Sequence, residues 1–409
     1  MAATQTPTEL AAAQANATQS QLLISLCPLP HDGLAAMLAN LALAFPTESI
    51  LVATPDAVPG EVAVPAPESL RVVPYTPAAP AAGSWILTAA DFLNTWKLVD
   101  QHHARACLLL GPECQSLQPE ALRALASGAL ATDLVVPHYS LGPRDGLVNS
   151  AILYPVTRAL FGTRPRFPLA IDLGLSARMA EKLASAAQRF TASGMNSAFL
   201  WPVCEAAAAG MSISEAAVGT RTLPPPEAAD LNSLLAQVAG SLFAEVDAKA
   251  SFWQRARLAY TPRPAAATVP EPPAAGDTLE VQPMLDSFRL AYSNLHDLWS
   301  LVLPPNTLLG LKKLSALPPQ GFRMPDALWA RIVYDFVLAY RLRTINRGHL
   351  LGALTPLYLA WVASHLLLTG GHTTDSLPPE KHIEALAAAF EADKPYLVSR
   401  WRWPDRFNP

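Results

Sequence analysis

Short apolar runs alternate with longer amphipathic stretches over the first 250 residues of the chain. The runs are four or five residues long and are bounded by turn-forming residues, which is typical of strands buried in a sheet. The stretches between them repeat apolar residues at spacings of three and four, which is typical of helices packed on a sheet. The pattern predicts strands at 22–26, 50–53, 70–73, 106–110 and 133–136, and helices at 33–45, 88–103 and 118–130.

This order of elements predicts an α/β fold, with a mostly parallel sheet that carries helices on both faces. After residue 280 the apolar spacing is helical, which predicts an α-helical C-terminal domain with helices at 281–303, 325–342, 349–368 and 379–392. A tract rich in Pro and Ala separates the two parts and is typical of a semi-stiff linker. The predicted division is a disordered lead-in at 1–20, an α/β domain at 21–260, a linker at 261–277 and a helical domain at 278–409.

One apolar segment, 350–368, is about as long as a bilayer requires. It contains Pro356, has His365 near one end and has no partner span elsewhere in the chain. We therefore expect a buried helix or helix pair of a soluble domain and no transmembrane span.

Composition and charge narrow the classes of partner and compartment. Hydrophobic residues make up 51% of the chain and charged residues 15%, and the net charge of −4 comes without a basic stripe that could neutralise phosphates. Nucleic acid is therefore not an expected partner. The four cysteines are scattered without a CxxC pair, and the N-terminus lacks the basic start of a secretory signal, so we expect reduced thiols and a cytoplasmic protein.

Candidate chemistry is expected where strands end, because ligands of open α/β sheets sit outside the carboxyl ends of the strands. The loop after the strand at 106–110 contains a single acid, Glu113. Asp172 lies between an apolar run and a Gly174/Ser176 turn, where it is either an acid at a reaction centre or part of a helix cap. The chain has no Walker loop, no GxGxxG and no nucleophile elbow, so NTPase, dehydrogenase and hydrolase functions lack support.

A second polar group surrounds the start of a helix near residue 154. These residues could bind a ligand, since arginine side chains match phosphate and carboxylate groups. They could equally be structural, since Asp145-Gly146 is an ordinary turn pair and arginines are common on surfaces. The candidate residues are Arg144, Asp145, Gly146, Asn149, Tyr154 and Arg158.

Several motifs follow one another in a fixed order from residue 137 to the C-terminal part of the chain. They include Pro137-His138-Tyr139, Arg144-Asp145-Gly146 with Asn149, the run 154–162 (YPVTRALFG), the run 217–221 (AVGTR) and, in the tail, Leu354-Thr355-Pro356-Leu357-Tyr358-Leu359. In these motifs the chain resembles the GT-A-fold glycosyltransferases that make glucosylglycerate and mannosylglycerate. That resemblance covers most of the chain from about residue 21.

The resemblance implies retaining transfer of a hexose from a nucleotide sugar to a small polar acceptor such as a glycerate, with Mg²⁺ or Mn²⁺. It implies that Asp172 lies by the anomeric centre and that Glu113 is the remaining metal- or diphosphate-facing group. It further implies that the helical domain covers the acceptor pocket or forms a homodimer contact. The donor- and acceptor-binding residues that it implies are Arg144, Asp145, Gly146, Asn149, Tyr154 and Arg158.

The departures from the family pattern fall on its functional positions. The metal-binding Asp-x-Asp is replaced by Gly111-Pro112-Glu113-Cys114, the Gly-Gly pair by Ala170-Ile171, and the metal-ligand His has no counterpart in 220–226. A divalent metal is therefore implied by the resemblance but lacks its usual ligands. Two hypotheses are open: an active transferase with an atypical donor site, or a catalytically inactive paralogue that acts as a binding or regulatory subunit.

Overall fold

The computed structural model describes residues 21–48, 50–55, 64–78, 85–142, 144–222, 230–255, 281–370 and 377–403. The predicted lead-in at 1–20 and the predicted linker at 261–277 lie outside these residues. The strands of the described part are β1 (Leu22–Leu26), β2 (Ile50–Pro55), β3 (Leu70–Tyr75), β4 (Ala106–Leu110), β5 (Leu134–Tyr139), β6 (Asp172–Ser176) and β7 (Ile213–Gly219).

Helices make up most of the remaining described residues. They are α1 (His31–Ala44), α2 (Ala89–His102), α3 (Pro119–Ala131), α4 (Tyr154–Phe161), α5 (Ala177–Thr191), α6 (Pro202–Ala208), α7 (Leu231–Ala248), α8 (Ala250–Trp253), α9 (Val281–Asn294), α10 (His296–Ser300), α11 (Pro305–Ser315), α12 (Asp326–Leu342), α13 (Arg347–Thr369) and α14 (Pro379–Arg402). Two 3₁₀ turns, Cys114–Ser116 and Pro319–Gly321, and a π-helical turn, Asn149–Leu153, complete the set.

The strands form one sheet in the order β3-β2-β1-β4-β6-β5-β7. Strand β6 runs antiparallel to both of its neighbours, and all other pairs are parallel. The predicted fold class, a mostly parallel α/β sheet with an α-helical C-terminal part, is confirmed. Every residue of β1 and β4 is buried, which explains why these two strands are apolar apart from Ser25.

Strands β6 and β7 are absent from the sequence-based prediction. The β6 sequence, DLGLS, carries an acid, a glycine and a serine, so no apolar run marks it. Gly174 lies so close to Ala129 on α3 and Val135 on β5 that an added Cβ would be 3.0–3.2 Å from their side chains. Packing against neighbours that are distant in sequence, rather than a local pattern, therefore holds β6 in the sheet.

The described residues separate into two compact units. The sheet unit comprises residues 21–140 and 170–222, and the helical unit comprises 141–169, 230–255, 281–370 and 377–403. The sequence-based division placed residues 21–260 with the sheet, whereas here 141–169 and 230–255 group with the helices. Helix α4 is buried along its whole length and packs on α14, and α7 packs on α12 and α13, so these segments group with the C-terminal helices.

Helix α13 is the only helix among the described residues with the length and composition of a membrane span. In the structure, 78% of the most apolar 18-residue stretch of this helix is buried inside the protein. Buried core helices can have the same length and composition as a membrane span. Pro356 lies inside this helix. The predicted helix at 281–303 is divided at Leu295 into α9 and α10.

Candidate functional site

The predicted chemistry lies at the edge of the sheet where β1 and β4 end. Because β6 is antiparallel to β4, the first residue of β6 lies beside the last residue of β4, and Leu110 pairs with Asp172. This register brings Asp172 to the loop that contains Glu113. The tertiary structure thus joins two of the residues selected from the sequence.

Asp172 is fully buried, and both of its carboxylate oxygens are hydrogen-bonded. Oδ1 accepts from the backbone N–H of Gly111 at 3.2 Å and from Nη2 of Arg221 at 3.1 Å. Oδ2 accepts from the hydroxyl of Tyr139 at 3.0 Å and from Nε of Arg221 at 2.9 Å. A carboxylate offers about four acceptor sites, so Asp172 has its full complement of donors.

The guanidinium of Arg221 is equally saturated, and its side chain has 0% exposure. Besides its two bonds to Asp172, Nη1 donates to the carbonyls of Glu113 at 2.6 Å and Thr222 at 2.7 Å, and Nη2 donates to the carbonyl of Pro112 at 2.7 Å. Nη1 also lies 3.2 Å from Oγ of Ser116. All five N–H groups of Arg221 therefore point at protein oxygens. We call these six surrounding oxygens the Arg221 cage.

The charges at this centre stabilise one another. Burial by itself lowers the pKa of Arg221, but the Asp172 charge and its hydrogen bonds outweigh burial and raise that pKa above its ordinary value. Burial, then the Asp172 charge, raises the pKa of Tyr139, so its hydroxyl keeps its proton and donates it. Burial likewise raises the pKa of the Cys114 thiol in the same loop. The centre is therefore one cation and one anion among neutral groups.

Glu113 contributes to this centre through its backbone. Its φ of 61° is left-handed, as the tight turn after β4 requires, and its carbonyl accepts from Arg221. Its side-chain Oε2 accepts from Nε2 of Gln115 at 2.7 Å. The role of this carboxylate as a metal ligand stays a prediction.

The other predicted site residues belong to the helical unit. Arg158 is 7% exposed and binds two glutamates of α14, with Nη1 at 2.6 Å from Glu384 and Nε at 3.0 Å from Glu391. The hydroxyl of Tyr154 donates to Glu384 at 2.5 Å. These polar atoms fasten α14 to α4 within the helical unit, which supplies a structural interpretation for both residues.

The loop before α4 also uses its polar residues locally. Asp145 accepts from the backbone N–H of Gly142 at 3.1 Å, and Gly146 has a φ of 63°, as a turn pair would. Asn149 donates to the carbonyl of Arg166 at 2.8 Å, while Arg144 is half-buried. The described geometry thus assigns turn and bracing contacts to this loop, and its binding role stays a prediction.

The sheet edge does not fit a divalent metal while Arg221 is in place. The described residues contain no group of three or more His, Cys, Asp or Glu side chains placed to hold one. The oxygens that would suit a hard cation, the Asp172 carboxylate and the carbonyls of Pro112 and Glu113, face a guanidinium that already carries a positive charge.

Sequence reasoning missed the two partners of Asp172. Arg221 follows Gly219, which ends β7 with a φ of 71°, and Tyr139 is the last residue of the neighbouring strand β5. Recognising β7 as a strand parallel to β5 would have placed both residues at the carboxyl edge beside Asp172. The sequence signal for this pair is Arg221 itself, which lies shortly after the end of β7.

No protein-family model matches the chain. No curated protein sequence matches it either. Among solved structures, it is similar to a protein described as a mycobacterial protein (16% identity, TM-score 0.36, 60% of this chain and 80% of that chain). It is also similar to glucosyl-3-phosphoglycerate synthase from Mycobacterium tuberculosis in complex with Mn²⁺, UDP-glucose and phosphoglyceric acid (13% identity, TM-score 0.35, 60% and 84%). A further similar structure is that synthase with Mn²⁺ and UDP-glucose (15% identity, TM-score 0.33, 60% and 84%).

Proposed function

We propose that this protein is a glycosyltransferase-like binding or regulatory protein that does not carry out metal-dependent sugar transfer. The observation that carries the proposal is the fully buried ion pair of Asp172 and Arg221, whose donors and acceptors are all hydrogen-bonded within the protein. Transfer from a nucleotide sugar needs cationic groups aimed at the departing diphosphate. In this chain Arg221, the cation at the sheet edge, donates all five of its N–H groups to protein oxygens.

Opening this centre for a substrate would be costly. Asp172 and Arg221 both have side chains with 0% exposure, so neither reaches a ligand while the pair is intact. Removing one partner of a buried ion pair costs about 3–5 kcal/mol, because it leaves an uncompensated buried charge, and opening the pair for a ligand faces the same kind of penalty. A donor sugar would have to supply that free energy in addition to its own binding cost.

The alternative is an active, retaining hexosyltransferase with an atypical donor site. The ordered motifs at 137–162 favour it, because they remain although the metal ligands do not. In that function Asp172 would lie by the anomeric centre, and the residues at 144–158 would order donor and acceptor. The Asp172–Arg221 pair would then have to open during each turnover.

Calorimetric titration of the full-length protein separates the two functions. UDP-glucose and GDP-sugars are titrated with and without Mn²⁺ or Mg²⁺, and phosphoglyceric acid is included because the similar solved structures contain it with UDP-glucose and Mn²⁺. We expect no metal-dependent heat of donor binding and no release of nucleoside diphosphate. Metal-dependent donor binding would refute the proposed function and favour the transferase.

A variant serves as the matched control for the titration. Replacing the exposed Arg178 by Met removes an arginine that pairs with Asp133 in the same unit but has a side chain two-thirds exposed, at 67%. This variant should give the same titration as the natural protein. Arg221→Met is titrated beside it, and donor binding that appears in Arg221→Met but not in Arg178→Met reports on the Asp172–Arg221 ion pair itself.

A further inference from the structure

Six oxygens from three separate segments surround the Arg221 guanidinium. The loop after β4 contributes the carbonyls of Pro112 and Glu113 and Oγ of Ser116, β6 contributes both carboxylate oxygens of Asp172, and the sixth is the carbonyl of Thr222. The N···O distances lie between 2.6 and 3.2 Å. A carboxylate together with backbone carbonyls is the donor set that hard cations take.

We propose that the Arg221 cage is a cation-binding site that the chain fills with its own side chain, so that Arg221 acts as a tethered cation in place of a bound one. This inference deepens the proposed function, on which it rests, by naming what occupies the candidate donor site. It assigns the site a ligand class: small cations that oxygen atoms can surround.

The arrangement of oxygens in the Arg221 cage favours a cation. Three backbone carbonyls and a carboxylate converge within hydrogen-bond distance of one group, and they carry a net charge of −1. Convergent oxygens repel one another unless a positive charge lies between them. Arg221 also links the ends of β4, β6 and β7, because its donors reach all three segments.

The planar fork of the guanidinium matches this arrangement. Nε and Nη2 bind the two oxygens of Asp172 in the bidentate geometry that carboxylates share with guanidinium groups. The remaining donors point to the carbonyls on the opposite side of the fork. Removing the side chain beyond Cβ therefore leaves a cavity of guanidinium shape that is lined with oxygens.

Chemical rescue of Arg221→Ala tests the proposal. Thermal unfolding of this variant is followed with millimolar methylguanidinium chloride or CaCl₂, against NaCl of equal ionic strength. We expect a cation-specific rise in Tm of at least about 2 °C, with neither the natural protein nor Arg178→Ala responding. If a folded Arg221→Ala variant gains nothing from either cation, the proposal is wrong.

If Arg221→Ala does not fold, hydrogen exchange in the natural protein tests the proposal instead. In protein labelled with ¹⁵N-arginine, the Nε–H of Arg221 should exchange with water at least about a hundredfold more slowly than that of Arg178, because only Arg221 is enclosed. Equal exchange rates would overturn the enclosed-cation assignment. Neither experiment uses a nucleotide, so its failure would leave the test of donor binding untouched.

Discussion

Each of the two units contains an ion pair between an almost fully buried aspartate and an arginine, Asp172 with Arg221 and Asp335 with Arg400, and the two carboxylates are satisfied differently. In the sheet unit, both oxygens of Asp172 accept two hydrogen bonds each. In the helical unit, Asp335 on α12 is 1% exposed, and its Oδ1 accepts from Arg400 and Tyr396. Its Oδ2 has no hydrogen-bond partner among the described residues.

Asp172 and Asp335 differ in the hydrogen bonding of the Oδ2 oxygen. Burial raises the pKa of Asp335 to about 7, although the Arg400 charge and the Tyr396 hydroxyl oppose that shift. The arginine neighbour of Asp335 therefore does not offset the cost of burying its carboxylate, one oxygen of which has no donor among the described residues. The comparison predicts a sheet-unit pair that is strongly held and a helical-unit aspartate that responds to pH.

The largest effect is expected from Arg221→Met. It leaves Asp172 charged, buried and short of two donors, so the free energy of unfolding should fall by about 3–5 kcal/mol. Chemical denaturation measures it. The double variant Asp172→Leu/Arg221→Met should recover part of this loss, because no unpaired charge remains.

The pair of the exposed Arg178 and the buried Asp133 controls for the loss of an arginine as such. Arg178 binds Asp133 through the same two-pronged geometry. Arg178→Met should cost less than Arg221→Met, because Asp133 keeps its hydrogen bonds from Ser176 and Ser212 and the lost arginine is itself exposed. Equal losses in the two variants would mean that enclosure does not decide the strength of the pair.

A pH-dependent effect is expected from Asp335→Asn. The raised pKa means that the folded state holds a proton more tightly than the unfolded state between pH 3.8 and about 7. The natural protein therefore loses stability from this group as the pH rises through that window. The variant lacks this loss, so its stability relative to the natural protein should increase by up to about 4 kcal/mol from pH 4 to 7.

Urea unfolding of both proteins across this pH range, followed by a probe in the helical unit, measures the difference. Asp172→Asn is the matched variant in the sheet unit. A stability difference that is independent of pH for Asp335→Asn would contradict the contrast between the two aspartates.

A smaller effect is expected from Gly111→Ala. A Cβ at this position would lie 2.4 Å from the carbonyl oxygen of Ile171, which is backbone and cannot move without shifting β6. The N–H of Gly111 also donates to Asp172, so a shift disturbs that carboxylate as well. We expect a loss of about 1–3 kcal/mol in thermal or denaturant unfolding.

Gly352→Ala in the helical unit is the control for this substitution. A Cβ there meets nothing within 4 Å, and the residue lies inside α13. Alanine favours the helix, so this variant should gain about 0.4–1 kcal/mol. A loss at both positions would show that close approach at Gly111 is not the cause.

The smallest effect is expected from Tyr139→Phe. The substitution removes one of the four donors to Asp172 and leaves both bonds from Arg221 in place. We expect a loss of about 1–2 kcal/mol, since one acceptor site stays buried without a partner. The half-buried Tyr292 provides the control, and Tyr292→Phe should stay within about 0.5 kcal/mol of the natural protein. Identical stabilities of Tyr139→Phe and the natural protein would show that three donors suffice.

The prediction of the fold succeeded where a local pattern was strong. Strands β1 and β4 were predicted with their observed bounds, because four of the five residues of β1 and all five of β4 are apolar, as in a strand buried on both faces. Strands β6 and β7 were missed, because their sequences contain acids, serine and glycine. The helix cap that was one interpretation of Asp172 is instead Ser176, which accepts from the backbone N–H of Met179 at 3.2 Å.

The candidate site was less predictable than the fold. Asp172 was selected as a candidate residue near a strand end, and its catalytic role stays a prediction; its partner Arg221 is 49 residues further along the chain. The motif residues Tyr154 and Arg158 were selected as binding groups, and the structure shows their contacts with glutamates more than 220 residues away. Pairing over such distances leaves no periodic signal.

The sequence by itself determined the order of β1 to β5 and of α1 to α3, the change to a helical second part and the strand ends where polar residues collect. These features follow from periodicity, which depends only on neighbours along the chain. The tertiary structure alone decided that Asp172 faces Arg221 and that Asp335 keeps one oxygen without a donor. Both outcomes depend on which elements become neighbours in space, and the free energy of a buried charge depends on those neighbours.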